Sequence, residues 1–159
     1  MTDVVYIPKD SQEGNLGTPI NGSGFSKALL ANLPAYRKGL SPLRRGLEIG
    51  MAHGYLLFGP FALTSQFRLS KIADLVGLVE AVLLIVIMTL ALSLYANTNP
   101  AKPVDVDPLP KAPDAFASQE GWTDFASGFL VGGIGGAGFA FIVYEVFKSG
   151  VFQTFGNLG

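Results

Sequence analysis

The residues best suited to chemistry are Glu48 and His53, an acid and an imidazole set in an otherwise apolar run from Gly46 to Leu63. An ionisable side chain at membrane depth costs roughly 2.5–3.5 kcal/mol on insertion scales, so it needs a partner, a cofactor or a water-filled path. Five residues at about 100° each leave the two side chains about 140° apart around a helix. They cannot easily share one ion. If both ligate metal, they hold two separate centres on different sides of the helix, an arrangement that suits an antenna and not a compact catalytic site. The competing expectation for Glu48 is an ion pair with Arg44 or Arg45, four and three residues upstream, where side chains on one helical face meet. For His53, a neutral imidazole one turn deeper, the competing expectation is a hydrogen bond to a neighbouring helix.

Other patterns carry less. Gly133-Ile-Gly-Gly-Ala-Gly138 matches a dinucleotide fingerprint, but no strand–turn–helix unit surrounds it and no acid follows about 20 residues on. Gly128, Gly132, Gly136 and Ala140 instead form a four-residue stripe of small side chains, which lets another helix approach closely in lipid. Glu80 is an isolated acid in a second apolar run, suited to a protonated or interhelically bonded carboxyl and too solitary for a proton relay. His53 is the single histidine and lies within an apolar run, so no hydrolase triad is visible. With no cysteine there is no disulfide framework, thiolate metal site or iron–sulfur cluster held by this chain alone.

These residues need membrane helices to position them. The chain is 49% hydrophobic and 14% charged, against about a quarter charged in soluble domains. Its net charge of −1 offers no basic field for nucleic acid. Three spans are expected, at about 46–63, 75–96 and 123–147, giving an all-α membrane protein. The first is near the lower length limit for crossing the ~30 Å hydrocarbon layer. Residues 1–42, rich in Gly and Pro, read as an irregular segment, with an amphipathic helix from Phe25 to Leu33 lying at the interface. Pro100, Pro103, Pro108, Pro110 and Pro113 make residues 97–120 a loop, and 148–159 form a tail. Lys9, Lys27, Arg37, Lys38, Arg44, Arg45, Lys102 and Lys111 fall on one face, against Arg68, Lys71 and Lys148 on the other. By the positive-inside rule, the N-terminal segment and Pro-rich loop are cytoplasmic or stromal and the tail lies across the membrane. The polar N-terminal stretch lacks the basic start and apolar core of a secretory signal, so insertion without a cleaved leader is expected.

Asn32-Leu-Pro-Ala-Tyr-Arg37, Gly39-Leu-Ser-Pro42 and Arg45-Gly-Leu-Glu-Ile-Gly-Met-Ala-His-Gly-Tyr55 resemble the signature of the photosystem I reaction-centre subunit XI family, PsaL. Gly59-Pro60 as the end of the first helix, Trp122, Phe125-Ala126 and Gly132-Gly-Ile-Gly-Gly136 extend the resemblance over about residues 15–147. It implies a non-catalytic, three-helix subunit of photosystem I in the thylakoid membrane, or in the plasma membrane of an organism that lacks thylakoids, binding chlorophyll a and β-carotene, with lipid as a further ligand. By motif match, Asn32, Glu48 and His53 would be axial ligands of chlorophyll magnesium, a hard ion that accepts oxygen and imidazole donors. The implied partners are the other photosystem I subunits, including the large reaction-centre subunits, and further copies of the chain in a trimer, with a tetramer as the alternative. Many family members follow the first helix with Gly-Pro-Leu-Arg-Asp, whose acid serves a calcium site. Aligned on Arg68, that acid is Leu69 here, which puts the calcium site in doubt. The readings from other classes are a pigment-free membrane scaffold and a small transporter subunit whose Glu48, His53 and Glu80 line one polar path.

Overall fold

In a computed structural model, residues 16–105 and 109–150 are described, and they form five α-helices and one 3-10 turn. Lys9, Asp107, Pro108 and nearly all of the expected C-terminal tail lie outside the described residues. In chain order the helices are α1 (Pro19–Gly22), α2 (Gly24–Asn32), α3 (Pro42–Thr64), α4 (Ala73–Ala96) and α5 (Gln119–Lys148). The helix expected from Phe25 to Leu33 is α2, started by the Ser23 hydroxyl, which accepts from the Ser26 amide. Ile20, Phe25 and Leu29 are exposed beside it.

α3 begins four residues earlier than the apolar run. Ser41 caps it, with Pro42 already at the first turn, where a missing N–H costs nothing. Gly59-Pro60 does not end it. The helix carries Pro60 inside its last turns and continues to Thr64, whose hydroxyl donates to the Pro60 carbonyl at 2.7 Å. α4 and α5 are the two described helices long and apolar enough to cross a membrane. α3 has 23 residues, with Arg44, Arg45 and Glu48 near its start making it more polar. α5 has 30 residues, about 45 Å at 1.5 Å per residue, and starts within the expected loop because Ser118 caps it. Just before it, Asp114–Ala117 forms the 3-10 turn, which buries Phe116 against Trp122.

α3 and α5 run parallel and make the most extensive helix pairing, while α4 runs antiparallel to both. The reason is two facing glycine stripes. Gly46, Gly50 and Gly54 on α3 meet the backbone of Phe125, Phe129 and Gly133, where a Cβ would overlap the facing carbonyl oxygens. Reciprocally, a Cβ on Gly128, Gly132 or Gly136 of α5 would overlap the carbonyls of Leu43, Leu47 and Met51. The helices therefore touch backbone to backbone, which maximises van der Waals contact where lipid offers no hydrophobic drive. The partner of the α5 stripe is a helix of the same chain. α4 closes the bundle through Gly77 against Ala62 and Ile85 against Gly133. At one end of the bundle Tyr95, Phe116, Trp122 and Phe125 form an aromatic cluster, with the indole N–H donating to the Phe116 carbonyl at 2.9 Å. At the other, Lys148 pairs with Asp74.

Candidate functional site: two grooves beside the first long helix and a third cleft before it

Close glycine packing brings α3 and α5 together and leaves a groove on each side of the pair. Glu48 lines one, an open cavity of about 840 Å³ between α3 and α5, walled by Met51, Tyr55, Leu56, Val131, Gly136 and Phe139. His53 lines another, about 420 Å³, between α3, α4 and α5, with Ile49, Met88, Leu92, Phe125 and Phe129. The two lining sets share no residue. The separation expected from a five-residue spacing is thus present in the packed bundle.

His53 is exposed in its groove and its ring meets Phe129 edge-on, with centroids 5.4 Å apart. Its Nδ1 lies 2.8 Å from the Ile49 carbonyl, which can only accept, so this nitrogen carries the proton. Nε2 then keeps its lone pair, in the tautomer suited to a metal ligand. Among the described residues, no hydrogen bond from His53 to a neighbouring helix forms. The bond is to the same helix, one turn back.

Glu48 does form an ion pair, but with neither Arg44 nor Arg45. Its partner is Arg37, eleven residues upstream, whose Nη2 donates to Oε1. A tight turn with Gly39 at φ +78° reverses the chain and returns Arg37 to the helix. Arg45 instead is buried, at 4% exposure, and donates from Nη1 to the Pro34 carbonyl at 2.7 Å. It pins the turn that delivers Arg37, at the cost of a buried Nε with no partner among the described residues. Arg37 and Arg45 are the positioning residues that spacing along one helix did not reveal. The α3 glycine stripe was missed as well, although Gly46, Gly50 and Gly54 repeat the same four-residue spacing as those of α5.

Asn32, the last residue of α2, lines a third and more polar cleft of about 550 Å³ with Tyr36, Arg37, Lys38, Pro110 and Lys111. Its amide N–H donates to the Ala28 carbonyl at 2.8 Å, which leaves Oδ1 free to accept among the described residues. Glu80 is half-buried on α4, has no hydrogen bond or ion pair among the described residues, and lines neither apolar groove. Glu48, His53 and Glu80 therefore do not face one cavity, as a polar path would require. Leu69 is 92% exposed and brings no side-chain oxygen to the α3–α4 turn. Among the described residues no cluster of three His, Cys, Asp or Glu could hold a metal ion.

The match that decides the family covers nearly all of the chain: residues 3–149 fit the family described as photosystem I reaction centre subunit XI. The chain belongs to that family. Subunit XI of Trichormus variabilis is 55% identical over 139 residues, 87% of this chain and 81% of the relative. That of Nostoc sp. PCC 7120 is 56% identical over 135 residues, 85% and 78% of the two chains. That of Crocosphaera subtropica is 48% identical over 143 residues, 90% and 92%. This is a photosystem I subunit of the subunit XI family, and the family's members are structural subunits of the complex, not enzymes.

The donor sets fit chlorophyll magnesium unequally. His53 offers an unshared Nε2 in an apolar groove of about 420 Å³. Asn32 offers a free amide oxygen. Glu48 offers Oε2, because Arg37 holds Oε1 and neutralises the carboxylate in its apolar groove.

Proposed function

We propose that the chain is a three-span antenna and assembly subunit of photosystem I, with Asn32, Glu48 and His53 each holding the magnesium of a separate chlorophyll a. The single observation that carries this is the division of donors: each of the three residues opens into its own groove, and Glu48 and His53 do so on different sides of α3. A scaffold without pigment has no use for an imidazole and a carboxylate that line two separate apolar grooves. When bound, chlorophyll supplies light absorption and energy transfer. The chain's residues supply ligands, apolar walls and a rigid frame.

α3 is read here as the first span, despite its polar start. Arg44, Arg45, Glu48 and Arg37 then lie at the headgroup level, where paired charge is tolerated, and the apolar remainder runs into the bilayer. β-Carotene, a hydrocarbon that needs no polar ligand, suits exposed apolar stripes such as Leu83, Ile87, Leu90 and Leu94 on α4. The membrane is the thylakoid membrane, with residues 1–42 and loop 97–120 on the basic, stromal side and 148–159 in the lumen. Partners are the other photosystem I subunits, the large reaction-centre subunits among them, and copies of this chain in a trimer.

The test is pigment stoichiometry. In photosystem I purified in mild detergent, His53→Leu is expected to remove one chlorophyll per copy while the chain still inserts. An unchanged count removes His53 from the ligand set, and a pigment-free subunit removes the antenna reading.

A further inference from the structure

We infer that the third cleft also holds an anionic headgroup, a phosphate or sulfonate ester, through Lys38 and Lys111. The cleft joins the end of α2 and the turn after it to the Pro-rich loop. Of its three cations, Arg37 is already matched by Glu48. Lys38 and Lys111 have no hydrogen bond or ion pair among the described residues. Among the described residues, two acids of the loop have other hydrogen-bond partners: Asp114 accepts from Lys102 at 2.6 Å, and Asp105 accepts from the Ala112 amide at 3.0 Å. Two ammonium groups without a hydrogen bond or ion pair among the described residues thus line one cleft, Lys111 also feeling the charge of Asp114, together with the Tyr36 hydroxyl, which lacks a partner among the described residues, and the N–H groups that Arg37 does not give to Glu48. These groups all donate, as the oxygens of a headgroup require. Asn32 lines the same cleft and keeps its amide oxygen for magnesium.

The surroundings favour a lipid source over free phosphate. Ile20, Phe25, Leu29 and Leu33, of α1, α2 and the residue after α2, are 86%, 78%, 54% and 40% exposed, the pattern of helices lying in a membrane interface with apolar side chains among acyl chains. A headgroup in the cleft would have its tails beside that apolar surface. This assignment rests on the orientation proposed above, in which the cleft faces the stroma at headgroup depth. It does not depend on the pigment ligands.

The experiment uses the intact photosystem I complex carrying wild-type chain or the Lys38→Gln/Lys111→Gln pair, delipidated mildly and then equilibrated with nanodiscs of neutral galactolipid containing phosphatidylglycerol. Retained phosphatidylglycerol per copy is measured by mass spectrometry, with chlorophyll per copy as the control for folding. The pair is expected to weaken retention about 30-fold, roughly fivefold for each lysine beside an anionic surface, with Lys38→Arg/Lys111→Arg restoring it. Equal retention in wild type and Gln pair at normal pigment content overturns the site. So does failure of the Arg pair to restore retention. Loss of retention in wild type on adding millimolar inorganic phosphate, with the Gln pair insensitive, assigns the same donors to free phosphate and overturns the lipid source. If the subunit proves free of pigment while lipid retention still follows the lysines, the antenna reading fails and the headgroup site stands.

Discussion

Replacing Gly50 by alanine places a methyl group where α3 and α5 touch backbone to backbone. The added Cβ would lie 2.9 Å from both the Gly133 nitrogen and the Phe129 carbonyl carbon, and closer still to the Phe129 oxygen. Ordinary contact begins at 3.4 Å, so the helices must part by at least 0.5 Å (3.4 − 2.9), and by more to clear the oxygen. Backbone cannot swing aside as a flexible side chain would. Overpacking of this kind costs about 1–3 kcal/mol, offset by about 0.5–1 kcal/mol from removing a flexible glycine inside a helix. Gly138 on α5 is the matched control, because a Cβ there meets nothing within 4 Å. Gly138→Ala should therefore gain about 0.5–1 kcal/mol, and the two variants should differ by about 1–3 kcal/mol. The assay is reversible unfolding of the full chain in mixed micelles. It is followed by the fluorescence of Trp122, the single tryptophan, whose ring meets Tyr95 of α4 edge-to-face with centroids 4.9 Å apart and so reports the α4–α5 contact. Equal stability of Gly50→Ala and Gly138→Ala would refute backbone-to-backbone packing of α3 and α5.

Three further outcomes follow from the same geometry. Arg37→Gln should destabilise the chain by less than about 1 kcal/mol in the same unfolding assay, because the pair with Glu48 is about a third exposed on both sides and screened by water. Trp122→Phe keeps an aromatic ring in the cluster but strips the donor from the Phe116 carbonyl, an expected loss of about 1 kcal/mol, read by circular dichroism because the fluorophore is gone. In the Pro-rich loop, the hydrogen bond and charge of Lys102 hold Asp114 below its ordinary 3.8, and Asp114 in turn raises Lys102 above 10.5. A lowered acid stabilises the tie above pH 3.8 and loses it as pH falls through the lowered value; a raised amine stabilises it below pH 10.5 and loses it as pH climbs past the raised value. Carboxyl chemical shifts of Asp114 should therefore titrate with a midpoint below 3.8, and Lys102→Gln should return that midpoint toward 3.8.

Much of the architecture was legible because it follows from local pattern. The apolar runs place α4 and α5 within a few residues of their observed ends, and the 140° separation of Glu48 and His53 survives packing because it is a property of one helix. Helix ends were less legible. Ser41 and Ser118 start α3 and α5 upstream of the apolar runs, since a cap obeys hydrogen bonding and not hydropathy. Pro60 looked like a stop but lies within the last turns of α3, where the helix tolerates a missing bond. The partner of Glu48 was not legible at all from helical spacing. Arg37 reaches it through a chain reversal at Gly39, held by Arg45 on the Pro34 carbonyl, and such a contact belongs to the tertiary fold. The α3 glycine stripe, by contrast, was readable: Gly46, Gly50 and Gly54 sit between the very residues that drew attention for their chemistry.

The central claim, two independent magnesium ligands in two grooves, is tested most directly by counting chlorophyll in photosystem I carrying His53→Leu, Glu48→Leu or both. Residues that line separate cavities act additively, so the expected result is one chlorophyll lost per copy in each single variant and two in the double. A double variant that loses only one, or a single variant that loses two, would contradict separate sites.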